Sequence, residues 1–73
     1  MIVKLLSYNI RFGGRGREQR LAEVIRGVSP DIVVFQEAID DRVIRKLAAE
    51  TGLQYWAARP EHSIGYISRL EIS

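Results

Sequence analysis

Apolar and polar positions divide the chain into segments of two kinds, and the first kind is strand-like. Residues 2–10 place apolar side chains on both faces of an extended segment, with one lysine near its start. Residues 31–37 contain four consecutive apolar residues and end on a glutamine and a glutamate. Runs of β-branched and aromatic residues of this length are typical of strands that are covered on both faces. The pattern therefore predicts two such strands.

Between these strands, apolar residues recur at helical spacing. The pattern predicts an amphipathic helix over residues 17–28. Its buried face comprises Leu21, Val24, Ile25 and Val28. Ser29-Pro30 ends this helix, because the residue before a proline is driven out of the α region. A strand, a helix and a strand in this order form a βαβ unit, whose strands are parallel and whose crossover is right-handed in about 98% of cases.

The second half of the chain predicts a helix followed by two antiparallel strands. Asp40 or Asp41 can cap a helix that ends at Gly52 in a left-handed conformation. Residues 54–58 favour a strand, a turn follows, and residues 64–72 alternate in the manner of a further strand. The buried stripe of the helix comprises Val43, Ile44, Leu47 and Ala48. The predicted fold class is thus α/β, in the α+β sense: a βαβ unit followed by a helix and an antiparallel strand pair.

Two polar residues stand at the carboxyl ends of the predicted parallel strands, Asn9 in the first and Glu37 in the second. Parallel strands end on the same side of a sheet, which is where open α/β sheets bind ligands. We therefore expect Asn9 and Glu37 to lie close together, and both are candidate site residues. Each also has a structural alternative. Glu37 can cap the next turn or pair with an arginine, and Asn9 can close a turn without losing a functional role.

Composition narrows what such a site can use. The chain has 73 residues, enough for one small domain with a thin core. It has no cysteine, which excludes disulfides and thiolate-bound metals. Nine of its 11 basic residues are arginine, which favours phosphate partners, although a net charge of +2 is also that of an ordinary solvated surface. No segment approaches the ~20 apolar residues of a membrane-spanning helix, so we expect a soluble protein.

Residues 11–17 form neither helix nor strand in this scheme, because they contain three glycines. The same segment contains Arg11, Arg15 and Arg17. A flexible basic lip that contacts phosphate is one interpretation, and a solvated turn that joins strand to helix is the other. His62 is the one histidine of the chain, and it is expected to be a solvated residue of the turn between the last two strands.

Three segments together resemble a known family. They are residues 7–13 (Ser-Tyr-Asn-Ile-Arg-Phe-Gly), residues 30–37 (Pro-Asp-Ile-Val-Val-Phe-Gln-Glu) and residues 66–69 (Tyr-Ile-Ser-Arg). In this order they resemble the opening third of the endonuclease/exonuclease/phosphatase family, which has the deoxyribonuclease I-like fold. The first segment resembles the strand that ends in that family's active-site asparagine, and the second resembles the strand that ends in its metal-binding glutamate. The resemblance covers almost the whole chain, although Ser63-Ile64 stands where the family often has Gly-Asn.

The resemblance implies a four-layered α/β sandwich that hydrolyses phosphodiesters or phosphomonoesters with Mg²⁺ or Mn²⁺. It also implies that Asn9 is a catalytic residue that orients metal or phosphate and that Glu37 binds the metal. Mg²⁺ prefers hard oxygen ligands and is commonly held by one or two carboxylates plus substrate phosphate, which agrees with the role implied for Glu37. The family's catalytic histidine–aspartate pair and its Asp-x-Asn motif lie in later segments that have no counterpart in this sequence.

Residues 1–73 are accordingly expected to form a single partial domain, the N-terminal part of such a fold, with a sheet that a continuation of the chain or an oligomeric partner would cover. The expected function is that of the N-terminal part of a magnesium-dependent phosphoesterase, a nuclease or a phosphatase. Alone, the chain is expected to be inactive because it lacks the general base. The alternative is a non-catalytic binding or scaffold module that keeps the half-sheet and contacts nucleic acid through its arginine-rich loop.

Overall fold

A computed structural model describes residues 2–11, 16–38 and 40–71. Its elements follow the predicted order of strand, helix, strand, helix, strand and strand. They are β1 (Leu5–Asn9), α1 (Glu18–Val28), β2 (Ile32–Gln36), α2 (Asp41–Thr51), β3 (Tyr55–Arg59), a 3₁₀ turn (Pro60–His62) and β4 (Ile64–Ser68). The predicted fold class, a βαβ unit followed by a helix and an antiparallel strand pair, is confirmed.

The four strands form one mixed sheet in the order β1-β2-β4-β3. β1 and β2 are parallel, as the intervening helix predicts, and β4 runs antiparallel to both β2 and β3. β1, β2 and β3 therefore end on the same side of the sheet, and β4 begins there. We call this side, with the strand-terminal residues Asn9, Gln36, Arg59 and Ile64, the site end of the sheet.

One face of the sheet carries the hydrophobic core. Val33, Phe35 and Ile67 are fully buried there, and both helices pack on this same face. The helices contribute Leu21, Ala22, Ile25, Val43, Ile44, Leu47 and Ala48. Burial of a side chain such as Phe35 stabilises a fold by about 1.5–3 kcal/mol relative to its exposure. Gly65 allows α2 to approach β4 closely, because a Cβ at that position would lie 3.1 Å from Ile44 Cγ1.

The other face of the sheet is not covered by the described residues. Leu5 is 63% exposed and Ile64 is 45% exposed, while Ile32 and Val34 are half-buried. The prediction that β1 and β2 are covered on both faces is therefore wrong for the described chain. The physical reason is that α1 and α2 lie on one side of the sheet, so that only neighbouring side chains shield the other side. A shallow apolar depression of about 440 Å³ remains on this open face.

Local signals end both helices largely as predicted. Ser29 adopts a left-handed conformation (φ 54°) after α1, and its N–H donates back into the helix at 2.9 Å. Asp40 rather than Asp41 caps α2, because its Oδ1 accepts the N–H of Arg42 at 3.0 Å. Gly52 follows α2 with φ 76°. Neither helix in the described ranges is long and apolar enough to cross a membrane.

Several boundaries differ from the predictions by a few residues. β1 begins at Leu5 rather than at residue 2, and β3 is displaced by one residue. β4 ends at Ser68, because its Oγ accepts the N–H of Leu70 at 2.9 Å and donates to the Leu70 carbonyl at 2.7 Å, which closes a turn. Residue 72, the predicted end of this strand, lies outside the described residues. Val24 is 41% exposed, so the buried face of α1 is narrower than predicted.

Candidate active site

Asn9 and Glu37 lie at the site end of two adjacent parallel strands. Asn9 is the last residue of β1, and it is paired in register with Gln36, the last residue of β2. Glu37 follows directly. Beyond the strands, the Ile10 N–H donates to the Gln36 carbonyl at 3.1 Å, so the two chains stay together past their last paired residues. The topology thus brings the two candidate residues to the same place, as parallel strands require.

The backbone at this end of the sheet is left-handed at three points. Arg11 follows β1 with φ 38°, Glu37 follows β2 with φ 57°, and Ser63 precedes β4 with φ 53°. In the described ranges these are three of the four non-glycine residues with positive φ. Such a conformation costs roughly 1–2 kcal/mol per residue for an L-amino acid, and residues of this kind concentrate at functional sites. The local strain therefore coincides with the candidate site.

Glu37 owes its direction to this conformation. In an extended backbone its side chain would lie on the same face as Phe35, toward the helices. The left-handed turn interrupts the alternation, and Glu37 is exposed. Its carboxylate forms no hydrogen bond or ion pair with any residue in the described ranges. The alternative in which Glu37 caps a turn or pairs with an arginine therefore finds no support in this part of the chain.

The backbone on both sides of Glu37 is held in place. The Gln36 carbonyl accepts the bond from Ile10, and the Ala38 N–H donates to the carbonyl of Ser63 at 3.1 Å. Glu37 is thus an exposed carboxylate on a backbone that is fixed before and after it. A fixed backbone with an unpaired acidic head group is the arrangement that a ligand-binding position requires.

Asn9 forms a side-chain turn and also keeps polar atoms for a ligand. Its Oδ1 accepts the N–H of Arg11 at 3.0 Å, which is the side-chain turn predicted as its structural alternative. Its Nδ2 has no partner among the described residues and keeps both N–H groups available for donation. On the same open face, Gln36 Nε2 donates to Ser7 Oγ at 2.7 Å and joins β2 to β1. Asn9 therefore presents an oriented amide at the end of β1, next to the strand that Glu37 follows.

Two further residues belong to this end of the sheet. The sequence predicted neither as a catalytic or metal-binding residue, although Arg17 lies in the segment interpreted as a possible phosphate-binding lip. Arg17 donates from Nη2 to the carbonyls of Ile10 and Arg11, directly after Asn9. His62 is exposed, as predicted, but the turn that contains it joins β3 to β4 at the site end. The sequence could have predicted this position for His62, because a β4 that is antiparallel to β2 begins at the site end. Arg17 gave no signal of its contacts, because it follows a glycine-rich segment whose backbone path the sequence pattern does not fix.

The oxygen atoms at the site end suit a hard cation but supply only part of a coordination shell. Glu37 offers a carboxylate and Asn9 offers the second lone pair of Oδ1, and both are ligand types that Mg²⁺ accepts. Within the described ranges, however, no three histidine, aspartate or glutamate residues are grouped closely enough to hold a metal ion. The described residues therefore offer oxygen atoms of a suitable type but no complete metal site.

The strongest electrostatic pairing lies at the opposite end of the same strand. Asp31 Oδ1 accepts Nε and Nη2 of Arg69 at 2.8 and 2.7 Å, and Oδ2 accepts the Lys4 backbone N–H at 2.8 Å. The Lys4 N–H, followed by Arg69, lowers the pKa of the Asp31 carboxyl below its ordinary value. On α2, the hydrogen bond that the Arg42 guanidinium donates to the Asp40 carboxylate raises the pKa of Arg42. The Asp31–Arg69 pair lies at the end of β2 opposite the site end, whereas the Asp40–Arg42 pair is a local contact at the start of α2.

Comparison with known proteins adds no relative. The chain matches no protein-family model, and no curated protein matches it. The likeness to the endonuclease/exonuclease/phosphatase family therefore remains a resemblance carried by the three sequence segments.

Proposed function

We propose that this chain contributes Asn9 and Glu37 to the active site of a magnesium-dependent phosphoesterase. The observation that carries the proposal is the state of Glu37: an exposed carboxylate, without a partner among the described residues, on a left-handed backbone beside an oriented asparagine. This pair lies where parallel strands end, which is where open α/β sheets bind ligands. The sequence resemblance assigns the same two residues to metal and phosphate.

The chemistry divides between the two side chains. Glu37 supplies an anionic oxygen for Mg²⁺ or Mn²⁺, and Asn9 Nδ2 donates to a phosphate oxygen, while the Arg11 N–H holds Asn9 Oδ1 in a fixed direction. A metal bound there would act as a Lewis acid on the phosphoryl group. The exposed position of Glu37 allows a bulky phosphate ester to approach.

Hydrolysis also needs a base and groups that position the attacking water. Another segment or another chain would supply these groups. The open face of the sheet, with Leu5 and Ile64 exposed, suits a further covering layer of the kind that the family's sandwich would supply. The described residues alone would then bind metal and phosphate weakly and hydrolyse phosphate esters poorly.

Metal binding tests the proposal directly. In ¹H–¹⁵N spectra, we expect Mn²⁺ to broaden the signals of Asn9, Glu37 and their neighbours first, because paramagnetic broadening falls steeply with distance from the ion. Glu37→Gln should abolish this pattern. Glu23→Gln is the matched control, because Glu23 is exposed on α1 and its substitution removes the same charge. Broadening that is centred elsewhere, or that persists in Glu37→Gln, would refute the metal role.

Turnover tests the division of labour. We expect no hydrolysis of bis-p-nitrophenyl phosphate above a metal-matched blank at millimolar Mg²⁺, because a missing general base and missing oxyanion donors each remove orders of magnitude in rate. Metal-dependent turnover that disappears in His62→Gln would show that His62 supplies the base. DNA binding that weakens with salt and is unchanged by Glu37→Gln, without Mn²⁺ binding, would favour the non-catalytic module instead.

A further inference from the structure

Arg17 connects the start of α1 to the end of β1. Its Nη2 donates to two successive carbonyls, those of Ile10 and Arg11. Its own carbonyl accepts the Leu21 N–H at 2.9 Å and so belongs to the first turn of α1. The N-terminal cap position of α1 is Arg17 itself, and its side chain makes no capping bond to the helix. The guanidinium is therefore committed to the turn after β1 rather than to its own helix.

The turn after β1, to which Arg17 donates, is the same turn that orients the Asn9 side chain. The Arg11 N–H donates to Asn9 Oδ1, while the Arg11 carbonyl accepts from Arg17. Arg11, which takes part in both bonds, has a left-handed φ of 38°. A residue in this conformation relaxes unless its surroundings hold it, because the alternatives are more favourable for an L-amino acid. Arg17 is the one described side chain that donates to this turn from outside it.

We propose that Arg17 is a positioning residue for the candidate site: its guanidinium fixes the turn after β1, so that the Asn9 amide keeps one orientation beside Glu37. A charged donor is well suited to this task, because its bonds to carbonyl oxygens are stronger than those of a neutral donor. The interpretation of residues 11–17 as a phosphate-binding lip then applies less to Arg17, since its Nη2 is occupied by the backbone. The consequence for metal and phosphate binding rests on the proposed function, but the consequence for Asn9 does not.

The test compares Arg17→Met with Arg17→Lys in the 73-residue chain. Methionine keeps an unbranched stem and removes every donor, whereas lysine keeps a charged donor that can reach the same carbonyls. Arg20→Met is the matched control, because Arg20 is an exposed arginine on α1. In metal-free buffer, we expect the order parameter of the Arg11 amide to fall from about 0.85 to below about 0.6 in Arg17→Met only. The Asn9 side-chain NH₂ signals should shift in the same variant and return toward wild type in Arg17→Lys.

Mn²⁺ titration supplies a readout that a purely structural role would leave unchanged. We expect Arg17→Met to weaken Mn²⁺ binding about tenfold, as is usual when a residue that orients a ligand is lost. Its thermal midpoint should match that of Arg20→Met. Wild-type order and wild-type Asn9 signals in Arg17→Met, or equal losses in Arg20→Met, would overturn the assignment of Arg17. Absence of Mn²⁺ binding in the wild type would instead count against the proposed function, and the metal-free spectra would still decide the role of Arg17.

Discussion

Two carboxylates flank the same five-residue strand, and the fold treats them in opposite ways. Asp31, just before β2, binds the Arg69 guanidinium and the Lys4 N–H, so both of its oxygens are occupied. Glu37, just after β2, has no partner in the described ranges. The two side chains differ by one methylene group. At one end of β2 the carboxylate is bound by two partners, whereas at the other end stands the carboxylate that we propose as a metal ligand.

The backbone draws the same distinction. At Asp31 the N–H donates to the Lys4 carbonyl, and the Asp31 carbonyl accepts the Arg69 N–H, both at 2.8 Å. Three strands are thereby joined through one residue. At Glu37 the backbone is left-handed, a conformation that stores free energy instead of releasing it. Stability and candidate function thus lie at opposite ends of one strand.

The largest expected effect is that of Asp31→Asn. Asparagine keeps the shape of the side chain but loses the charge that Arg69 and the Lys4 N–H bind, so we expect the thermal midpoint to fall by several degrees at pH 7. A double-mutant cycle with Arg69→Met should show coupling between the two residues, because each variant removes the same contact. Glu23→Gln is the control for loss of one negative charge. If Asp31→Asn and Glu23→Gln have equal thermal midpoints, Asp31 does not stabilise the fold and the contrast with Glu37 fails.

The same contribution should depend on pH in a defined direction. Because the folded pKa of Asp31 lies below its ordinary value of 3.8, the unfolded chain takes up the proton first as the solution is acidified. The stabilisation is complete above that ordinary value and is lost as the pH falls through the folded pKa. We therefore expect the difference in midpoint between wild type and Asp31→Asn to be constant near neutrality and to vanish in acid. A difference that grows in acid would contradict the sign.

The sequence predicted the surroundings of Glu37 better than those of Asp31. The approach of Asn9 and Glu37 follows from element order alone, because a helix between two strands makes them parallel. The turn at Asn9 and the cap at Asp40 are local and depend on side chains that favour those positions. Asp31 gave no such signal, since Lys4 is 27 positions away and Arg69 is 38 positions away. The contact with Lys4 depends on the register of β1 against β2, and the contact with Arg69 depends on the register of β4 against β2. The hydrophobic pattern fixes neither register.

Two other features escaped prediction for physical reasons. A left-handed residue after a strand is expected at glycine or asparagine, so the glutamate at position 37 gave no warning of its φ of 57°. The apolar run that starts at Ile32 indicated cover on both faces of β2. Apolar residues indicate that burial of a face would be favourable, but they do not show what covers it. In the described chain both helices lie on one side of the sheet. Pattern therefore predicted the strands and helices, and the open face required the structure.

A smaller effect is expected from replacing the strained residue itself. Glycine at position 37 relieves roughly 1–2 kcal/mol of left-handed strain and loses about 0.5–1 kcal/mol in backbone entropy relative to alanine. We therefore expect Glu37→Gly to be more stable than Glu37→Ala by about 0.5–1 kcal/mol in denaturant unfolding. The control is the same pair at Glu23 on α1, where glycine should be less stable than alanine by about 1 kcal/mol. The same sign at both positions would mean that Glu37 is not strained in solution.

The smallest expected change in stability is that of Glu37→Gln, and it distinguishes the two ends of β2 most sharply. Glutamine keeps the size of the side chain and removes only the charge, and that charge has no partner to lose among the described residues. In metal-free buffer we therefore expect a midpoint within experimental error of wild type, whereas the corresponding change at Asp31 lowers it. Thermal unfolding of both variants with Glu23→Gln as the control measures the contrast.

Added metal should then narrow the difference in midpoint between the two variants. A ligand that binds only the folded chain stabilises it by about 1.4 kcal/mol at ten times its dissociation constant, so wild type and Asp31→Asn should both gain in midpoint with Mn²⁺. Glu37→Gln should gain nothing, because the anionic oxygen that would hold the ion is gone. A loss of several degrees in metal-free buffer would assign Glu37 to cohesion, like Asp31. An unchanged midpoint, together with loss of the Mn²⁺ stabilisation that wild type and Glu23→Gln both show, would support the ligand role of Glu37, because Glu23→Gln removes an equal charge from α1.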